Sequence, residues 1–432
     1  MTGKVTRRTF AKAGAAAAFA LRAAQTGRVL GANDRVRLGF IGVANRGGQL
    51  LSAFLKQPDV EVAALCDVHK PTLEAAKKRL EGKPWTCEDF RELVAAKDVD
   101  AVVIATPDHW HAIQTIDACR AGKDVYVEKP LSMTVREGRR MVEVARQTNR
   151  VVQVGLHRRS STLYAQAADL IRSGKLGKVT VSRAYHVSNM FPSGMGKAKP
   201  TDPPKDLNWD LWLGPRPKRP YQENITPYKF RWWMLYSSQV ANQGVHFLDV
   251  IRWLAGDEAP RWISAMGGRY AVDDDRTIPD TMESMFEMPS SLTILGVYEA
   301  SGNPVLPRPG YAEMRGTEGT LYIGDRKFEV VPERGGQFQD RKPRMEPLEV
   351  ASTEGDLTVQ HVRNFLDCVK SRAKPTADVE VGHRSTTFSL LANISLVTRS
   401  LLEWDPQRET IVNHPEANNL LHYEYRKPWK LD

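Results

Sequence analysis

The sequence predicts an α/β protein: an N-terminal Rossmann domain, then a C-terminal α/β domain with a large, mostly antiparallel open sheet. Three observations support this. From Arg35 to Gly155, short runs rich in β-branched residues alternate with helix-like stretches, the pattern of a parallel sheet covered on both faces. The first strand-to-helix junction, "GFIGVANRGGQ" at 39–49, is rich in glycine. Past Gly155 the alternation gives way to short strands punctuated by turn signals.

The strands of the first region are "VRLGFI", "VEVAALC", "DAVVIAT", "DVYVEK" and "VVQVG". Between them lie "RGGQLLSAFLKQ", "PTLEAAKKRLEG", "HAIQTIDACRAG" and "TVREGRRMVEVARQT". The last is amphipathic, with Val135, Met141, Val142, Val144 and Ala145 toward one side and Arg and Glu on the other. Glycines in "EGKPW" and "RAGKDV" end helices.

In the second region "TLYAQAADLIRSGKLG" reads as a helix and "VTVSRAYHV" as a strand. Residues 189–235 are rich in Pro, Gly and Trp, and a loop that long is usually functional. "ANQGVHFLDVIRWLAG" reads as a helix ended by Gly256. The strands "RWISAMGGRYAV", "TMESMFEM", "SLTILGVYE", "YAEMRGTE", "GTLYIGD" and "KFEVVP" follow, then the helices "TVQHVRNFLDCVKSR" and "STTFSLLANISLVTRSLL". The tail from Glu403 has little periodicity and is expected along the surface. The domains are therefore set at 32–155 and 156–432.

Composition bounds the function. A chain of 432 residues suits two or three domains, and 41% apolar with 26% charged residues describes a globular protein. The net charge of +10 is largely local: six of the 61 basic residues lie in residues 1–31, leaving 55 against 51 acidic ones. No basic patch with interleaved aromatics argues for nucleic acid. Residues 1–31 hold no acid, and "TRRTFAK" followed by "AGAAAAFAL" resembles a twin-arginine export signal. A periplasmic or otherwise exported location is expected. The apolar stretch is well short of the roughly 20 residues a membrane span needs. The four cysteines lack CxxC spacing, so buried free thiols are expected and no metal site.

In the glycine-rich turn, Gly42 permits the tight turn and Gly47 the close helix–strand packing. Ala44 stands where a second glycine lets the backbone approach a pyrophosphate. Its methyl is compatible only if the backbone φ there is negative. Free N–H groups at the helix start, from Asn45, Arg46 and Gly47, suit phosphate. Asp67 ends the second strand 20 residues after Gly47, where an acid binds ribose hydroxyls. The acid favours NAD; His69 and Lys70 leave room for NADP.

The stretch "VYVEKPLS", with "ATPDHWH" before it and "GVH" followed by "LDVIRW" after it, resembles the glucose-fructose oxidoreductase / inositol dehydrogenase / rhizopine-catabolism (Gfo/Idh/MocA) family. The resemblance runs from about Val36 to the C-terminus. It implies a sugar or cyclitol lying between the domains and a homo-oligomer formed through the C-terminal sheet. Lys129 would hydrogen-bond the reacting hydroxyl, aimed by a cis Pro130, and His246 would accept its proton. Asn242, four residues before His246, replaces a common Asp and cannot take a proton. Thr106, Pro107, His109, His111 and Glu128 are implied beside the cofactor. His157, Arg158 and Tyr236 are candidates for the substrate cleft, and Trp209, Trp212, Trp232 and Trp233 for stacking on sugar faces.

An exported enzyme cannot replace lost NAD, so a tightly held cofactor follows from the signal. The leading expectation is an oxidoreductase acting on a secondary alcohol of a sugar, cyclitol or glycoside. The alternatives are a glycosidase using NAD in a redox-neutral cycle and a nucleotide-binding protein without turnover.

Overall fold

A computed structural model describes residues 35–432; the export-signal expectation for residues 1–31 lies outside them. The first domain holds β1 (Val36–Ile41), β2 (Val60–Cys66), β3 (Trp85–Cys87), β4 (Ala101–Ile104), β5 (Asp124–Val127) and β6 (Val152–Val154). They form one sheet in the order β3-β2-β1-β4-β5-β6 with every pair parallel. The order reverses between β1 and β4, and a crevice at such a switch point is where α/β sheets bind ligands. The helices are α1 (Asn45–Phe54), α2 (Lys70–Arg79), α3 (Phe90–Ala95), α4 (His111–Arg120) and α5 (Val135–Gln147). In α5, Thr134 and Glu137 cap the N-terminus reciprocally, and Val135, Met141, Val142, Val144 and Ala145 are buried as the periodicity predicts.

The second domain adds α6 (Thr162–Arg172), β7 (Val179–Asn189), α7 (Trp209–Leu213), α8 (Val245–Ala255), β8 (Trp262–Gly268), β9 (Thr281–Glu287) and β10 (Leu292–Tyr298). It continues with β11 (Ala300–Ser301), β12 (Ala312–Gly316), β13 (Gly319–Ile323), β14 (Lys327–Pro332), β15 (Leu348–Ala351), α9 (Leu357–Ser371), α10 (Val379–Thr398), β16 (Leu402–Asp405) and β17 (Thr410–Ile411). The sheet runs β15-β14-β13-β12-β7-β10-β9-β8-β16-β17, with β11 on β7. Only β7 and β10 pair in parallel. One face packs on α6, α8 and α10 through Leu163, Leu248, Ile251, Phe388 and Leu391. The other exposes Met266 and Met285.

The halves interlock. Helix α9 packs back on the first domain, where Phe365 meets Phe54 and Tyr126 edge to face. The tail differs from the expected course along the surface. Trp404, Ile411 and Leu421 enter the second core, and Tyr425 packs with Tyr423 and Trp429 against the first. Isolated aromatic anchors hold it, and these have no period to detect. The 189–235 region also departs from expectation. Trp209, Trp212, Trp232, Trp233 and the adjoining Tyr236 form one buried cluster, so these rings pack chiefly on each other, and of the five only Trp212 also lines a cleft. All four cysteines are free and buried. Among the described residues no helix is long and apolar enough to cross a membrane, and no cluster of metal-ligating side chains occurs.

Candidate active site

The turn after β1 is shaped for close approach. Gly42 has φ +82°, and a Cβ there would lie 2.9 Å from the Ala105 backbone. A Cβ on Gly47 would lie 2.0 Å from the Gly42 carbonyl oxygen. Ala44 has φ −72°, a conformation any residue adopts. It precedes α1 without a side-chain cap, so the first-turn N–H groups are unspent. Asp67 Oδ2 accepts from Val43 N and Oδ1 from His69 N, both at 3.0 Å, and burial pushes its carboxyl up. Each oxygen retains a lone pair for a hydroxyl.

A cleft of about 890 Å³, open to solvent, runs along this turn. Gly42, Ala44, Asn45, Arg46, Asp67, Thr106 and Pro107 line one side, and Trp212, Pro227, Phe230 and Arg231 the other. The Pro- and Trp-rich loop thus roofs the cofactor crevice. This shape fits NAD: α1's N-terminus would hold the pyrophosphate and Asp67 the adenosine ribose.

At the end of β5, Glu128 accepts from Arg46 at 2.8 Å and from the Lys129 backbone at 3.1 Å. Burial raises its carboxyl, but Arg46 and Lys129 outweigh it, leaving it below the usual range. The following Lys129–Pro130 peptide is cis. Lys129 Nζ donates to the Asn242 backbone oxygen at 2.8 Å and to Oδ1 at 2.9 Å. An ammonium has three N–H groups, so one remains for a ligand. Burial lowers Lys129 to about 8.

Asn242 sits in a π-helical turn, Val240–Gly244, that leads into α8; such turns concentrate at functional sites. His246 follows in the first turn of α8 and packs edge-to-face on His157, with ring centroids 5.2 Å apart. Burial, then Lys129, Arg158 and His157, hold His246 well below an ordinary histidine, and burial lowers His157 to about 3. Both imidazoles are neutral near pH 7.

The remaining expected residues lie elsewhere. His109 is fully buried, donates from Nε2 to the Trp212 carbonyl at 2.9 Å, and is lowered by burial to about 3. His111 bridges the Pro130 and Thr106 carbonyls at 2.8 and 3.0 Å, bracing the turn behind Lys129. Tyr236 is wholly buried against Trp212 and His109. Arg158 turns away to Asp325 at 2.8 Å and stacks over Tyr311. One residue the sequence did not single out joins the cleft: Arg231, whose Nε lies 3.4 Å from Asn242 Oδ1. It sits in an aperiodic loop, where no spacing announces it.

Comparison with known proteins bears on the fold and the family. The oxidoreductase family model for the NAD-binding Rossmann fold matches residues 36–156, and that for the family's C-terminal α/β domain matches 161–281 and 335–431. An alpha-N-acetylgalactosaminidase of Shewanella oneidensis is 31% identical over 163 residues, 36% of either chain. A glycosyl hydrolase family 109 protein of Shewanella sp. (strain ANA-3) is 30% identical over 165 residues, again 36% of each. The apo scyllo-inositol dehydrogenase of Lactobacillus casei superposes with a TM-score of 0.62 at 21% identity, covering 86% of this chain and 98% of that one. A levoglucosan dehydrogenase in complex with NADH and levoglucosan gives 0.65 at 16%, covering 86% and 99%. The chain belongs to the Gfo/Idh/MocA oxidoreductase family and carries its NAD-binding Rossmann domain and C-terminal α/β domain.

Proposed function

We propose that the protein oxidises a secondary alcohol of a sugar, cyclitol or glycoside, using NAD that it retains. The observation that carries this reading is an anchored lysine within charge reach of a neutral histidine. Lys129 is desolvated, anchored by Asn242 and left with one free N–H. His246, which feels the Lys129 charge, is neutral and makes no hydrogen bond among the described residues. His246 accepts the hydroxyl proton while the Lys129 ammonium stabilises the developing alkoxide. Asn242 orients Lys129 but takes no proton. Bound NAD supplies the hydride acceptor.

The twin-arginine-like N-terminus supports export, and the loop roof supports retention of the cofactor outside the cytoplasm. The exposed face of the large sheet, with Met266 and Met285, is the surface we assign to homo-oligomer formation. A second reading is favoured by the glycosidase relatives: transient oxidation of a glycoside, cleavage, and re-reduction. Purified protein incubated with free sugars and with nitrophenyl glycosides, followed at 340 nm and by product analysis, separates the two. Keto-sugar with a rise in absorbance supports oxidation; free sugar with no net NADH supports the glycosidase. Turnover that survives Lys129→Ala together with His246→Ala refutes the site, and purified protein without any nucleotide refutes retention.

A further inference from the structure

Two cations, one of them the cleft-lining Arg231, converge on one amide oxygen. Lys129 Nζ and Arg231 Nε lie 2.9 and 3.4 Å from Asn242 Oδ1. Among the described residues no carboxylate lies within 4.0 Å of either side chain's nitrogens. Their neighbours differ: Arg46 pairs with Glu128 and Arg158 with Asp325, each at 2.8 Å. Asp108 is within electrostatic reach of both cations, but it is buried, burial pushes its carboxyl up, and its Oδ2 accepts from Ser237.

Asn242 cannot turn its oxygen away. Its Nδ2 donates to Gln239 Oε1 at 3.2 Å, and Gln239 Nε2 donates to Glu299. Glu299 also accepts from Arg276 at 2.8 Å and from Trp232 at 2.9 Å. A carboxylate only accepts, so Glu299 fixes the Gln239 amide, and Gln239 fixes Asn242. The cleft therefore meets a neutral oxygen where a carboxylate would balance two positive charges.

Arg231 is also held in orientation. Its guanidinium stacks over Tyr228 at 4.2 Å and Phe230 at 4.5 Å, and Nη1 donates to the Tyr228 carbonyl at 2.9 Å. Nη2 has no acceptor among the described residues. A partly buried guanidinium with an open edge is a fork for a planar anion.

We propose that the substrate is a sugar acid, whose carboxylate docks on Arg231 while a ring hydroxyl reacts at Lys129 and His246. This rests on the alcohol-oxidation reading above. A neutral sugar would leave Arg231 partly desolvated without a counter-charge. Burial first, then the charges of Lys129 and Arg158, hold His246 down; a carboxylate brought near it opposes those charges, so binding of the acid strengthens the base that the reaction needs.

The test uses the nucleotide-loaded full chain with matched pairs, D-glucuronate against D-glucose and D-galacturonate against D-galactose. Binding is measured by titration calorimetry and nicotinamide reduction at 340 nm. The expected result is about 10- to 100-fold tighter binding of the acid. In Arg231→Gln that ratio falls toward one. In Arg231→Lys, which keeps the charge but loses the fork, it is intermediate. Equal binding of acid and neutral sugar by the unaltered protein overturns the proposal, as does an equal loss for both in Arg231→Gln. Loss of bound nucleotide from Arg231→Gln, read by mass spectrometry, also overturns it, because Arg231 would then hold the cofactor. Reduction by neutral sugars without acid preference defeats this inference alone. Absence of reduction or turnover with either class defeats the alcohol-oxidation reading with it.

Discussion

Asn242→Asp places a carboxylate where the structure has an amide of the same shape. Lys129 sits at about 8 because burial lowers it and Arg231 and Arg46 repel its charge, against opposing pulls from Glu128 and Asp108. A unit negative charge 2.9 Å from Nζ interacts by about 1.4 kcal/mol in bulk water and about 6 kcal/mol at an effective dielectric near 20. At about 1.36 kcal/mol per unit, that is about one to four pKa units upward; neighbouring opposite charges in proteins typically give one to three. Reductive methylation with 13C-formaldehyde gives each lysine a resonance that titrates, and Lys129→Arg identifies the one belonging to Lys129. The unaltered protein should show it near pH 8, and Asn242→Asp should move it to roughly 9–11. An ordinary midpoint near 10.4 in the unaltered protein, or no movement in the variant, would refute the claim that desolvation and uncompensated charge set the state of Lys129.

Four other outcomes follow from the packing and its charges. Gly47→Ala should lose the nucleotide and about 1–3 kcal/mol of stability, since its Cβ meets a backbone oxygen at 2.0 Å that no rotamer relieves. Ala44→Gly should keep the nucleotide; mass spectrometry of the denatured proteins checks both. Arg276→Met leaves Asp274 and Glu299 unpaired in a site that is 0% exposed at the arginine. It should cost about 3–5 kcal/mol, read as a lower urea midpoint. Glu409 is raised by burial but held down to about 2 by His383 and Arg139. A depressed carboxyl contributes stability above its unfolded pKa of about 4.3, and that contribution disappears as pH falls toward 2. Urea melts from pH 6 to 2.5 should therefore show a shallower acid loss in Glu409→Gln.

The features legible in the sequence were local and periodic. The β1–α1 turn states its own geometry in Gly42 and Gly47, and Asp67 falls at the end of a clearly alternating strand. Helix α5 announces its buried face. What escaped depends on contacts between distant residues. His109 and His111 are two positions apart, yet one disappears into an aromatic cluster and the other braces Pro130. Only burial separates them. Arg231 reaches Asn242 because the loop folds back over the cleft, and Tyr236 looked like a cleft residue until the loop's aromatics packed on one another. The turn before His246 reads as ordinary α-helix, but it widens into a π turn that brings the Asn242 oxygen to Lys129. Strand β3 is three residues long, too short for any period.

The central claim is hydride transfer from a sugar carbon to NAD held by this chain, and isotope transfer tests it most directly. Sugars carrying deuterium at single ring carbons are mixed with the purified protein at less than one equivalent and quenched. The released nucleotide is then weighed. The account predicts one deuterium in the nicotinamide for one labelled position and none for Lys129→Ala. Product formed while the nucleotide stays unlabelled at every position would contradict it.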